Sequence, residues 1–249
     1  MRRLFDCWSE IENRIKSAAS IALFLDFDGT LAHIQPTPED VHISPPMRHA
    51  ISMLVTNHRT RVWVISGRRR GDVRERTRLP GVHYLGIHGW EGRFGTALEP
   101  AVQRELDRAR RRLEKGTEYL PGIWIEDKGP CFAIHYREAG EAESKLARAS
   151  VHEALTRLNG AFRLLSGKKV WEILPRELGD KGSAVRRELN RFAQRPLPIY
   201  VGDDSTDEHA FAALPDGITI RVGPQSLTRA RFQLRDPRDV LRFLEQINL

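Results

Sequence analysis

Two hydrophobic periods alternate along the 249-residue chain. Short unbroken apolar runs occur at 21–26 (IALFLD), 61–65 (RVWVI), 82–87 (VHYLGI), 198–202 (PIYVG) and 217–222 (GITIRV). Their length suits strands, and their continuous apolarity suits strands buried on both faces. Helically spaced stretches lie between them: one after Ser44-Pro45, then 69–78, 181–193, 206–214 and 237–246. Ser44 supplies a capping oxygen, and Pro45 presets the backbone angle of a first helical residue. Strands alternating with helices predict an α/β fold, a doubly wound, Rossmann-like parallel sheet.

The middle of the chain follows another pattern. A helix over 101–115 precedes two strand-like runs, GIWIED (122–127) and CFAIHYR (131–137), joined by Lys128-Gly129-Pro130. A helix over 140–158 follows, then AFRLLS and KKVWEIL around Ser166-Gly167-Lys168. Paired strands with two helices predict a smaller α/β unit inserted at 98–176, with the core formed by 1–97 and 177–249. Trp8, Trp63, Trp124 and Trp171 read as core residues, and His135 and Tyr136 as packing positions on an alternating strand.

Composition narrows the class. Hydrophobic residues make up 40% and charged residues 29%, as in soluble globular proteins. No apolar run approaches the roughly 20 residues of a bilayer-spanning helix. The opening MRRLFDCWSEIENRIKSAAS has acids where a signal peptide would be apolar. A cytoplasmic protein with no membrane partner is expected, with Cys7 and Cys131 as reduced thiols. The net charge of +7 invites a nucleic-acid reading. In AVQRELDRARRRLEKG, however, Val102, Leu106, Ala109 and Leu113 recur at helical spacing, which leaves the arginines on a solvated face ending at Gly116. No nucleic-acid partner is expected; the positive field suits a small anionic substrate. These patterns are silent on oligomeric state.

Ligands of parallel α/β sheets bind beyond the carboxyl ends of the strands. Here those ends carry Asp26 and Asp28, then Ser66-Gly67-Arg68, then Gly202-Asp203-Asp204 with Asp207 just beyond. Singly, each has a plain explanation. Asp28-Gly29-Thr30 fits an Asx turn, Ser66-Gly67 a strand-to-helix turn, and Ser205 with Glu208 a capping box. Together, at matching strand ends, they describe one crevice. Two carboxylates about 4 Å apart repel by about 4 kcal/mol at an effective dielectric of 20. The acids therefore need a cation, and all-oxygen donors favour Mg²⁺. Lys181 follows the N-cap residue Asp180 and opposes the helix dipole by roughly 0.3–1 kcal/mol. Beside a carboxylate nucleophile and a transferring phosphoryl group such a lysine is well used.

The ordered set DFDGT, ISGR, DKG and GDDSTDE resembles the four motifs of the haloacid dehalogenase superfamily of phosphatases. The insert between the second and third matches members with a large cap there. GDDSTDEHAF, EDKGPCFAIHYR, WEILP and IHGWEGR further resemble the trehalose-6-phosphate phosphatases. The resemblance implies that Asp26 attacks phosphorus and forms an aspartyl-phosphate. Asp28 would protonate the departing sugar oxygen and then deprotonate water. Ser66, with the neighbouring amides of Gly67 and Arg68, would hold phosphate oxygens, and Lys181 would neutralise charge. Asp203, Asp26 and the Asp28 backbone carbonyl would ligate Mg²⁺, with Asp204 and Asp207 as supporting or alternative ligands. Glu126, Lys128 and Glu172 match positions that bind glucose hydroxyls, and His88 and Arg93 are further candidates. The implied reaction is Mg²⁺-dependent hydrolysis of a sugar phosphate, trehalose 6-phosphate. Sucrose phosphate and a glycosylated glycerate phosphate are the alternative substrates. A non-catalytic regulator is the rival reading, and intact Asp26, Asp28, Lys181 and Asp203 argue against it.

Overall fold

The computed structural model describes residues 1–92, 97–158, 160–167, 169–224 and 227–248. The chain divides into two compact units, Met1–Phe94 with Gly179–Leu249, and Gly95–Leu178. In chain order the first segment carries β1 (Arg2–Arg3), α1 (Trp8–Ser17), β2 (Ile21–Leu25), α2 (Pro45–Thr56), β3 (Thr60–Ile65), α3 (Arg70–Thr77) and β4 (His83–Leu85). The second unit contains α4 (Pro100–Thr117), β5 (Trp124–Asp127), β6 (Phe132–His135), α5 (Glu141–Thr156), β7 (Phe162–Gly167) and β8 (Val170–Pro175). The chain then returns to the first unit with α6 (Lys181–Leu189), β9 (Leu197–Gly202), α7 (Asp207–Ala213), β10 (Ile218–Val222), β11 (Phe232–Leu234) and α8 (Pro237–Gln246).

The first unit is built on a seven-stranded sheet in the order β1-β11-β10-β9-β2-β3-β4. Every pairing is parallel. All five residues of β2 are buried because apolar layers cover both faces. Leu23 and Leu25 join Val62, Val64, Ile199 and Val201 on one face, with Ile11, Ile51 and Phe243 from α1, α2 and α8. Ala22 and Phe24 join Trp63, Ile65 and Tyr200 on the other, with Val185, Ala210 and Phe211 from α6 and α7. This double burial is what the unbroken apolar runs signalled.

Several local expectations change. The strand expected over 82–87 spans His83–Leu85, because Ile87 (φ 47°) and His88 (φ 55°) turn left-handed directly after it. Gly116 does not end α4, which continues to Thr117 with its apolar stripe intact. The Ser205–Glu208 capping box does not form: α7 starts at Asp207 without a side-chain cap. Glu208 instead accepts from Thr228 Oγ1 at 2.7 Å and from the Arg229 amide at 2.8 Å. Asp180 does cap α6, accepting from the Ser183 amide at 2.7 Å in a reciprocal box. Strands β1 and β11 and helix α1 are additions to the sequence reading.

The second unit has a four-stranded antiparallel sheet, β5-β6-β8-β7. The register places Ile125, Ile134, Trp171 and Ile173 on one face, and Trp124, Glu126, Ala133, His135 and Glu172 on the other. Trp63 and Trp171 are buried and Trp8 partly so. Trp124 is 42% exposed, contrary to its reading as core, since it opens an edge strand. Cys7 and Cys131 are free thiols. Among the described residues no helix is long and apolar enough to cross a membrane.

The inner ring of α8 gives a stability test. Phe243 is fully buried and meets the Trp8 indole edge-on at 6.4 Å. Phe243→Ala is expected to lower unfolding stability by about 3–5 kcal/mol, read from urea denaturation.

Candidate active site

The site begins where β2 ends. The Asp26 amide still donates to Val201 O at 2.9 Å, so pairing with β9 runs one residue past the strand and brings the two strand ends side by side. The chain then turns sharply, with the Leu31 amide on Phe27 O and the Gly29 amide on Ala32 O. Gly29 has φ +81°, and a Cβ there would lie 2.1 Å from Asp203 Oδ2. A Cβ on Gly202 would lie 2.3 Å from Asp207 Cγ. Each glycine vacates the space that an acid from the β9 end fills. As a result Asp26, Asp203 and Asp207, all buried, each offer an oxygen within 4.8 Å of the others.

Lys181 stands among these acids. Its Nζ donates to Asp26 Oδ1 at 2.7 Å and to Asp207 Oδ1 at 2.7 Å, and the residue is only 2% exposed. The Tyr200 hydroxyl donates to the same Asp207 oxygen at 2.7 Å, and the Asp204 amide donates to Asp207 Oδ2 at 2.8 Å. Asp207 is thereby fixed from three directions. Burial would lower the Lys181 pKa, but the charges of Asp207 and Asp26 outweigh it and hold the ammonium above its usual range. Burial pushes Asp26 well above the usual carboxylate range; Lys181 opposes this, and Asp207 and Asp203 add to it. Burial likewise raises Tyr200, with Asp207 beside it. One ammonium among three buried carboxylates leaves excess negative charge on hard oxygen donors. That donor set fits a divalent cation.

Asp28 and Asp204 stay outside the three-acid group. Arg68 takes both Asp28 oxygens in a fork, Nε to Oδ2 at 2.8 Å and Nη2 to Oδ1 at 2.7 Å. Its Nη1 reaches Asp72 at 3.1 Å. Burial opposes the Arg68 charge, and Asp28 and Asp72 outweigh it, so its pKa is raised. Asp204 Oδ1 accepts from the Ser205 amide. Ser66 is buried, and its Oγ accepts from the Arg68 amide at 3.1 Å. The His88 amide donates to Ser66 O at 2.8 Å, and the His88 ring covers Gly67, where a Cβ would lie 2.9 Å from Cε1. A left-handed pair containing β-branched Ile87 is strained and marks a constrained site. Arg93 lies outside the described residues.

The second unit assembles its own polar row. The buried Lys128 ammonium donates to Glu172 Oε1 and lies 3.9 Å from Glu126 Oε2. His135 Nε2 donates to the same Glu126 oxygen at 2.9 Å. Burial disfavours the Lys128 charge, but Glu172 and Glu126 raise its pKa beyond the usual lysine range. Burial raises Glu126, yet the His135 hydrogen bond and Lys128 charge bring it below the usual carboxylate range. The sequence singled out Glu126, Lys128 and Glu172; the structure adds His135. Tyr200 was also missed, its hydroxyl being the lone polar atom aimed from an apolar strand. A tyrosine inside such a run, just ahead of an acidic turn, was the available signal.

A parallel doubly wound sheet with acids beyond two adjacent strand ends and a lysine among them defines an α/β protein with a charged centre at its strand ends. A haloacid dehalogenase-like hydrolase from Bacteroides thetaiotaomicron shares the fold (TM-score 0.66, 15% identity, covering 92% of this chain and 99% of that one). The trehalose-phosphatase family model matches residues 24–236. A probable trehalose-phosphate phosphatase C of Arabidopsis thaliana is 32% identical, over 91% of this chain and 76% of its own. The C-terminal domain of Candida albicans trehalose-6-phosphate phosphatase superimposes with TM-score 0.81 at 22% identity, covering 96% of each chain. The chain belongs to the trehalose-phosphatase family and is a phosphoric monoester hydrolase.

The raised Asp26 has a thermodynamic signature. A carboxyl that binds its proton more tightly when folded adds stability below its unfolded pKa of about 3.9. That stability is lost as pH rises through the raised folded value. Asparagine mimics the protonated form at every pH. In chelator-treated protein, Asp26→Asn should therefore melt progressively higher than wild type as pH rises from the unfolded carboxyl range towards the raised folded value. A widening of about 2–4 °C corresponds to about 1 kcal/mol in a chain of this size. Differential scanning fluorimetry measures it, and a gap independent of pH would contradict the assignment.

Proposed function

We propose that the protein hydrolyses trehalose 6-phosphate to trehalose and phosphate with Mg²⁺, through an aspartyl-phosphate on Asp26. The observation that carries the reading is the buried Lys181 ammonium held between Asp26 and Asp207 at the strand ends, 2.7 Å from each. The names of the family and of its relatives supply the sugar. The core, 1–97 and 177–249, does the chemistry, and the inserted cap, 98–176, reads the sugar.

Asp26 attacks phosphorus, forming a P–O bond as the bond to the sugar oxygen breaks. Asp28 gives that oxygen its proton, then takes one from the water that cleaves the acyl-phosphate and regenerates Asp26. Lys181 fixes the nucleophile through Oδ1 and neutralises charge beside it. The Asp28 fork with Arg68 has to open before Asp28 carries a proton. An arriving phosphate competes for that guanidinium, and so frees the acid. Ser66, with the Gly67 and Arg68 amides, receives the remaining phosphate oxygens. Asp26, Asp203 and the Asp28 backbone carbonyl would hold Mg²⁺, supported by Asp204 and Asp207, and the ion would supply neutralisation of phosphoryl charge. Glu126, Lys128 and Glu172 hydrogen-bond the sugar hydroxyls, with His88 and Arg93 as further contacts. The reaction takes place in the cytoplasm.

Phosphate release from trehalose 6-phosphate, sucrose 6-phosphate, glucose 6-phosphate and an aryl phosphate tests this. Strong preference for the first is expected, abolished by EDTA and by Asp26→Asn. Lys181→Ala should lose at least about 10²-fold in kcat. Glu172→Ala should lose the preference for trehalose 6-phosphate over the aryl ester. Wild-type turnover by Asp26→Asn would sink the covalent route, and release from the aryl ester alone would sink the substrate.

A further inference from the structure

The polar face of the antiparallel sheet carries more than hydrogen-bonding groups. Trp124 and Glu126 lie two residues apart on edge strand β5 and share a face. Trp124 pairs across with His135, Glu126 with Ala133, and Ala133 with Glu172 on β8. The side chains form one chain of contacts, from Glu172 through Lys128 and Glu126 to His135. The His135 imidazole then lies flat on the Trp124 indole, with centroids 3.8 Å apart and planes 7° from parallel. One indole face lies against His135, and the residue is 42% exposed. A large aromatic is thus held rigid, backed by a hydrogen-bonded histidine, at the rim of a row of carboxylates and an ammonium.

We propose that Trp124 is a stacking platform for a glucopyranosyl ring. This rests on the sugar-phosphatase reading above and assigns it a specificity-determining residue. In an α-glucosyl ring of trehalose the C2, C3 and C4 hydroxyls are equatorial and only the glycosidic oxygen is axial, so the face away from that oxygen presents axial C–H groups alone. That flat apolar face matches the indole, while hydroxyls at the ring edge reach the carboxylates and ammonium beside it. Glu126 serves twice: it faces the sugar and anchors the histidine that flattens the indole. A sugar with an axial hydroxyl on the stacked face cannot lie flat, so the platform selects glucose-type rings. The bland role is a cross-strand aromatic pair that stabilises the hairpin.

Steady-state kinetics on trehalose 6-phosphate, calorimetry with trehalose and melting curves separate the two roles for Trp124→Ala, Trp124→Leu and Trp124→Phe. Leu keeps cross-strand packing without an aromatic face, whereas Phe keeps a face. The platform predicts a KM increase of about tenfold or more for Ala and Leu, falling on KM rather than kcat, with most of it recovered by Phe. Trehalose binding should weaken in parallel, at a melting temperature that Leu and Phe share with wild type. Wild-type KM and trehalose affinity in Trp124→Leu would overturn the platform and leave only the hairpin role. If wild type failed to turn over trehalose 6-phosphate, the substrate reading would fall, and calorimetry with trehalose, sucrose and maltose would still decide the platform. Binding of one of them, lost in Trp124→Leu, sustains it; no binding to wild type overturns it.

Discussion

A buried ammonium between two carboxylates is the constraint on which the larger unit depends. Lys181 holds its charge in a nearly water-free place only because Asp26 and Asp207 flank it. Each acid, in turn, is tolerable only with the lysine present. Meeting both conditions needs the first residue of α6, the residue after β2 and the first residue of α7 at one point. Parallel pairing of β2 with β9 provides that point. Gly29 and Gly202 then remove the atoms that would block it. The Tyr200 hydroxyl and the Asp204 amide complete the shell around Asp207, so the lysine's second anchor cannot swing away.

The smaller unit repeats the device with other residues. Lys128 is buried with Glu172 and Glu126 as its carboxylates, and no parallel strand ends are involved. The two lysines differ in what surrounds them. Around Lys181 three acids crowd one ammonium, which leaves negative charge for a metal. Around Lys128 two acids share one ammonium, and His135 holds one of them through a hydrogen bond. Similar electrostatics thus stabilise a buried ammonium in each unit.

Legibility in the sequence followed how local each signal was. Strands β2, β3, β9 and β10 were plain because burial on both faces leaves an unbroken apolar run. The Asp180 cap and Lys181 were readable from four residues. Edge strand β1 is Arg2–Arg3, with no apolar run to notice, and β11 is three residues long; sheet neighbours define both. Glu208 looked like a capping-box partner because spacing cannot reveal that Thr228 and the Arg229 amide reach it from a distant loop. The Asp28–Arg68 fork joins residues 40 apart, and the Tyr200–Asp207 bond depends on a turn geometry that composition does not encode. Trp124 was assigned to the core on residue type, whereas its edge-strand position decided its exposure.

The placement of β2 has a consequence for how the protein is made. Its two neighbours are β3, which follows soon after, and β9, which follows only when the inserted unit is complete. At ribosomal rates of roughly 5–20 residues per second, the apolar edge of β2 waits on the order of ten seconds or more for its second partner. The smaller unit, Gly95–Leu178, is synthesised whole in that interval. Asp26 therefore emerges early on a half-built sheet, and Lys181 is made only after the whole inserted segment. Chaperone demand during synthesis should track that interval rather than the stability of the finished fold.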